Sequence, residues 1–305
     1  MKLNDFLWLG DLASDEVAEI VAKSRAMKEG VTPKAMDGKV AALLFEKPSL
    51  RTRVSFEVGV KQMGGSCIYL SQSDVGLGTR EPAEDVARVL DRLVDVIVAR
   101  VFSHRNLEIL SEYSTVPVVN ALSDLAHPCQ AIGDLLTMSE HKGDLGGLNV
   151  AYVGDGNNIA SSLAIACSAV GANFAIASPP KYKVPDISWE TAERRAAEKE
   201  TKLSWTESPE AAVEGADIVY TDVWISMGDE EEADERREIF ESYRVSSGLM
   251  ERADKEAVFM HDMPAHRGEE IEDDMLDHPQ SVVFDQAENR LHAQKAILAE
   301  LMTND

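Results

Sequence analysis

Two rhythms of apolar residues alternate along the chain. Short runs rich in Val, Ile, Leu and Ala are followed by longer segments in which apolar side chains return every three or four positions. Val40 to Phe45, Cys67 to Leu70, Val96 to Val101 and Val116 to Leu122 read as strands. So do Asn149 to Val153, Asn173 to Ala177, Lys202 to Trp205, Asp217 to Val223, Val258 to His261 and Val282 to Asp285. The helical rhythm covers residues 12–29, where Val17, Ile20, Val21, Ser24 and Met27 form one stripe. It returns after the Ser49 to Arg53 motif, then around Val86, Val89, Leu90 and Leu93, and over 105–113, 129–141 and 159–170. Glu288 to Met302 reads as a final helix, while 71–82 and the acidic stretch 228–238 read as loops or helix entries. Strand and helix in alternation predict parallel sheets covered by helices. Gly143 to Gly147 is the best break, so the expected fold is α/β with two domains, each a parallel β-sheet flanked by helices.

Ligands of open parallel sheets bind beyond the carboxyl ends of the strands. The polar clusters fall there: 49–53, 100–104, 124–130, 154–158, 222–228 and 261–267. Ser49-Leu50-Arg51-Thr52-Arg53 follows a strand and opens a helix, which would gather helix N–H groups, hydroxyls and guanidinium groups at one spot. A phosphate needs such donors. Gly154-Asp155-Gly156-Asn157-Asn158 has G-x-G spacing, but Ile159 stands where a dinucleotide turn has its third glycine. The asparagines suit a carboxylate better. His127-Pro128-Cys129-Gln130 offers a donor to a carbonyl oxygen and an amide partner. Asp222 suits a substrate ammonium, and the Ser226-Met227-Gly228 turn suits a carboxylate.

Composition narrows the picture. The chain has 305 residues and 44% hydrophobic content, enough for two cores. No apolar run reaches the roughly 18 residues of a membrane span, and no secretory leader is evident at the start. Three cysteines make no disulfide framework, which fits a cytoplasmic location. The cysteines and seven histidines lack metal-ligand spacing, so no metal and no cofactor are expected. A net charge of −24 opposes nucleic acid and anionic membranes. It suits concentrated salt, where at about 1 M the screening length is roughly 3 Å, and so points to a halophilic host.

Taken in order, these motifs resemble the carbamoyltransferases, most closely the ornithine carbamoyltransferases. The carriers are Phe45 to Pro48 with Ser49 to Arg53, Asp85 to Leu90, Arg100 to His104, His127 to Gln130, Asp155 to Asn158, Asp222 with Ser226 to Gly228, His261 to Gly268, and Glu288 to Arg290. The resemblance implies a carbamoyl-phosphate domain at 1–142 plus 288–305 and an amino-acid domain at 148–287. It implies a homotrimer, or an assembly of trimers, with active sites at subunit boundaries. It implies transfer of a carbamoyl group from carbamoyl phosphate to L-ornithine in arginine metabolism. Ser49, the Leu50 backbone, Arg51, Thr52, Arg100, His127, Gln130 and Arg290 would hold the donor. Asn158, Asp222, Ser226, Met227, Asp262 and Met263 would hold ornithine.

The chain departs from that pattern in places. Leu50 stands where threonine is common, and Gly76 where glutamine is frequent, with Arg80 nearby as an alternative phosphate contact. Asp262 and Met263 replace a cysteine and a leucine beside the reacting amine. A carboxylate there attracts the amine but favours its unreactive protonated form, unless Asp262 takes the proton as a general base. A different amine acceptor, or a non-catalytic relative, remains the alternative.

Overall fold

The computed structural model describes residues 4–226 and 230–303. Contacts divide the chain into two units, Met1–Leu136 with Glu288–Asp305, and Thr137–Ala287.

The first unit is built on four parallel strands: β1 (Val40–Phe45), β2 (Ser66–Ser71), β3 (Val96–Arg100) and β4 (Val118–Leu122). Their order is β2-β1-β3-β4. A parallel strand covered on both faces is apolar throughout rather than alternating, and Ala41 to Phe45 are all buried. The helices are α1 (Ser14–Lys28), α2 (Leu50–Gln62), α3 (Gln72–Val75), α4 (Ala83–Leu90), α5 (His104–Glu112) and α6 (Pro128–Lys142). Val86, Ala87 and Leu90 of α4 join Leu107 and Leu110 of α5 over Ala42, Leu44, Ile97 and Ala99 of the sheet.

The second unit carries five parallel strands: β5 (Asn149–Val153), β6 (Asn173–Ala177), β7 (Leu203–Thr206), β8 (Ile218–Thr221) and β9 (Val258–His261). The order is β7-β6-β5-β8-β9. Its helices are α7 (Asn158–Val170), α8 (Asp186–Glu198), α9 (Pro209–Val213), α10 (Ala233–Phe240) and α11 (Ser247–Met250). Val153, Val219, Phe259, Trp224, Phe240 and Ile271 belong to one core. The two parallel sheets with flanking helices are the fold expected. No helix among the described residues is long and apolar enough to cross a membrane.

Two local readings are corrected. Val282 to Asp285 is not a strand. The last helix, α12 (Val283–Met302), starts there. The run Val282-Val283-Phe284 looks β-like, yet burial falls on Val282, Val283, Gln286, Asn289, Arg290 and Ala293, a period near 3.6, and Phe284 is exposed. Within 71–82, residues Gln72–Val75 form one helical turn that ends at left-handed Gly76. The chain leaves the first unit within α6 and re-enters it within α12. There Lys28 Nζ donates to Asn289 Oδ1 at 2.8 Å, and Lys295 Nζ to Gln62 Oε1 at 3.1 Å, fixing α12 against α1 and α2.

Candidate active site

Ser49 caps α2. Its Oγ accepts the Thr52 amide at 3.3 Å and bonds Thr52 Oγ1 at 3.0 Å. Such a cap satisfies one of the first-turn N–H groups and leaves the others facing out beside the positive end of the helix. Arg290, arriving on α12, donates from Nη2 to Thr52 Oγ1 at 2.5 Å. Thr52 and Arg290 are both buried. Arg100 ends β3 and is also buried.

His127 sits just before α6, 2% exposed. Its imidazole is held well below the usual range, chiefly by burial, then by the charges of Arg290 and Arg100. Both guanidinium groups are therefore close enough to act on it, and the ring is neutral. Gln130 is buried one turn on. Its Nε2 donates to Asp134 Oδ1 at 2.8 Å, while its Oε1 is buried and accepts no hydrogen bond among the described residues. The Cys129 thiol is pushed up to about 12 by burial and donates to the Asn120 carbonyl at 3.4 Å. It is a core group, not a nucleophile.

Part of the 49–53 motif does not join this cluster. Arg53 is exposed, bonds Glu57 at 2.8 Å and lies 3.9 Å from the Tyr69 ring centroid. Leu50 is 75% exposed, so its side chain faces outward and only its backbone is offered to a ligand. Arg51 occupies the first turn of α2, half-buried. Arg80 donates to the Asp74 carbonyl at 3.1 Å within its own exposed loop.

In the second unit, Thr221 and His261 are partners in the β8–β9 register. Asp222 and Asp262 therefore leave the sheet side by side. Asp222 is raised well above the ordinary carboxylate range, first by burial, then by the charge of Asp262 and a hydrogen bond with it. Asn157 Nδ2 donates to Asp222 Oδ2 at 2.7 Å. The same asparagine caps α7, its Oδ1 accepting from the Ile159 and Ala160 amides at 2.9 and 3.2 Å. Asn157 thus holds Asp222 in place. Asn158 is the first residue of α7 and half-buried. Ser226 is half-buried beyond β8, and Met227 lies outside the described residues. Met263 is half-buried at φ 63° and donates its amide to His261 Nδ1 at 2.9 Å. The sequence signal for Asn157 was its helix-capping position, which reads as purely structural.

Tyr152, Glu270 and Arg236 also went unread. Tyr152 ends near Asn157, and burial, then Asp222, drives its phenol well above the usual range. Arg236 of α10 donates to Asp155 Oδ2 at 2.8 Å and to the Trp224 carbonyl at 3.1 Å, tying the loops after β5 and β8 together. The G-x-G turn is no dinucleotide cradle. A Cβ on Gly156 would collide with the backbone of Lys183 and Val184, and the Gly156 amide donates to the Tyr182 carbonyl at 2.9 Å. That segment fills the space a pyrophosphate needs.

Residues 4–140 match the aspartate/ornithine carbamoyltransferase carbamoyl-P binding domain, and residues 146–301 the Asp/Orn binding domain of the same family. The chain belongs to the aspartate/ornithine carbamoyltransferase family. It is 50% identical to an ornithine carbamoyltransferase of Thermococcus kodakarensis, over 98% of this chain and 96% of that one. The ornithine carbamoyltransferase structure from Pyrococcus furiosus superposes with a TM-score of 0.95 at 47% identity, covering 100% of this chain and 98% of that one. The one from Gloeobacter violaceus gives 0.90 at 41% identity, with 99% of each chain covered. Within this carbamoyltransferase frame, Arg51 and Arg100 lie in the stretch matched to carbamoyl-phosphate binding, while Arg290 comes from the other matched stretch on α12. The carboxylate pair lies in the stretch matched to aspartate or ornithine binding.

Proposed function

We propose that the first unit seats carbamoyl phosphate and the second seats L-ornithine, with the domains at 1–142 plus 288–305 and 148–287. The enzyme transfers the carbamoyl group to the δ-amine, giving L-citrulline and phosphate. The observation that carries the donor half is the bond from Arg290 to Thr52 beside a His127 that feels both Arg290 and Arg100. A carbamoyl phosphate brings about two negative charges. Arg51, Arg100 and Arg290 offset them, and the guanidinium fork suits phosphate oxygens. Ser49, Thr52 and the Leu50 amide complete the cradle.

The neutral δ-amine attacks the carbonyl carbon, forming the N–C bond. Negative charge grows on the carbonyl oxygen. Neutral His127 donates a ring N–H to it, and such a preorganised donor contributes about 3–4 kcal/mol. The C–O bond then breaks with its electron pair on the departing phosphate, which takes up the proton that the amine gives up. Gln130, with its unpaired Oε1, accepts from the carbamoyl NH2. Asp222 holds the α-ammonium, with Ser226 and Met227 at the α-carboxylate end and Asp262 and Met263 near the δ-amine.

We further propose a trimeric, salt-adapted protein located in the cytoplasm. Leu50, Val54 and Val58 expose an apolar stripe on α2, and Ile68 is exposed on the edge strand β2. Exposed apolar side chains of this kind favour self-association. The net charge of −24 supports a preference for concentrated salt. The test is a citrulline-forming assay in dilute buffer and in molar potassium chloride, with ornithine, putrescine, lysine, aspartate and N-acetylornithine as acceptors. Turnover with ornithine is the expected result. Turnover only with another acceptor would replace the ornithine assignment, and no turnover with intact carbamoyl phosphate binding would leave a non-catalytic relative.

A further inference from the structure

We propose that Asp222 and Asp262 act as one acid–base unit, holding a single proton between them in the empty site and releasing it when a substrate ammonium takes its place. This rests on reading the second unit as the amino-acid site. The geometry begins with the sheet. Parallel register pairs Thr221 with His261, so the next residue on each strand is carried to the same spot. The carboxyl groups of Asp222 and Asp262 and a nitrogen of His261 lie within 4.8 Å of one another. Two carboxylates so close cannot both ionise cheaply, and a shared proton relieves them.

Among the groups around the pair, His261 opposes the rise at Asp222, but burial and the neighbouring carboxylate outweigh it. His261 is buried. Its Nδ1 accepts the Met263 amide, so its proton sits on Nε2, which faces Glu270 Oε1 at 3.2 Å. The Nδ1 lone pair of His261 is thus occupied on the side where that atom lies 3.6 Å from Asp262 Oδ1. Tyr152 stays a neutral phenol. Asp155 and Arg236 neutralise each other at 2.8 Å. Glu270 is engaged by His261 and by the His266 amide. Asn157 donates to Asp222 and holds that carboxyl in place.

An α-ammonium entering beside Asp222 replaces the shared proton, which leaves to solvent. An amine arriving protonated then transfers a proton to Asp262. The N–H bond breaks with its electron pair on nitrogen, an O–H bond forms, and the pair is again singly protonated. Asp262 thereby sets which amines react: those that can reach it and give up a proton.

The test uses the intact protein without ligand, and then with L-norvaline, which has ornithine's backbone and chain but no δ-amine. Thermal unfolding is followed from about pH 5 to about pH 9, where a group binding a proton only in the folded state makes stability fall with pH. The wild type should lose melting temperature across that window, and Asp222→Asn and Asp262→Asn should each flatten the loss. Three superimposable curves would overturn the pair. Calorimetry in buffers of different ionisation enthalpy, with and without saturating inorganic phosphate, should then show about one proton released when norvaline binds the wild type near neutral pH. Asp262→Asn should release close to none. No release from the wild type would overturn the coupling to ligand. Both signatures in a protein that cannot carbamoylate ornithine would overturn the acceptor assignment and keep the pair.

Discussion

Beyond β3 and the start of α2, guanidinium groups surround a neutral histidine. Beyond β5, β8 and β9, carboxylates gather around a tyrosine. Both clusters occupy the carboxyl ends of parallel strands, where backbone architecture is much the same. The difference lies in the side chains alone. The fold supplies a place, and the residues delivered there decide whether it attracts an anion or a cation. Burial works on both clusters but with opposite results. It strips the proton from His127 and presses one onto Asp222.

Arg100→Gln attacks the cationic side most directly. It should lower kcat/KM by about 10³-fold, because a charged donor to the phosphate and carbonyl is lost. Steady-state kinetics with both substrates varied would check it, and a loss below tenfold would break the contrast. Arg236→Ala tests the buried cation that pairs with Asp155 on the acidic side. It strands Asp155, with side chains only 9% and 11% exposed, and should cost about 3 kcal/mol of stability in denaturant unfolding. His127→Ala should lower kcat about 10²-fold, with a much smaller change in KM for carbamoyl phosphate. Asp222→Asn should raise the KM for ornithine about tenfold and leave carbamoyl phosphate binding unchanged, read by calorimetry. Cys129→Ser should change turnover by less than about twofold, since that thiol makes one backbone contact and no more is asked of it.

Acidity separates the clusters further. A histidine lowered from 6.5 keeps its stability contribution above that value and loses it as pH falls. A carboxyl raised from 3.8 does the reverse: its folded form holds the proton longer, so stability falls as pH rises beyond that value. His127→Gln should therefore flatten the acid limb of the stability curve, and Asp222→Asn the alkaline limb.

The strand–helix alternation was legible because parallel strands buried on both faces are unbroken apolar runs. Val282 to Asp285 misled for the same reason: three apolar residues in a row fit either period, and only the burial of Gln286 and Asn289 decides. The arginine cluster was readable because motif and residue type coincide, yet Arg53 turned to Glu57 and Tyr69 instead. Asn157 and Tyr152 were invisible because one looks like a helix cap and the other like core. Their roles come from strands adjacent in space and distant in sequence. The pairing of Asp222 with Asp262 needed the β8–β9 register, which no local pattern encodes.

The thiols of Cys67 and Cys129 are both driven up to about 12 by burial, and Cys167 is buried within α7. Maleimides and iodoacetamide attack the thiolate, so the native chain should present almost no alkylation background. A reporter cysteine engineered at position 262 could then be labelled on its own, and its rate of modification, slowed by whatever amino acid occupies the site, would serve as an occupancy gauge that requires no turnover.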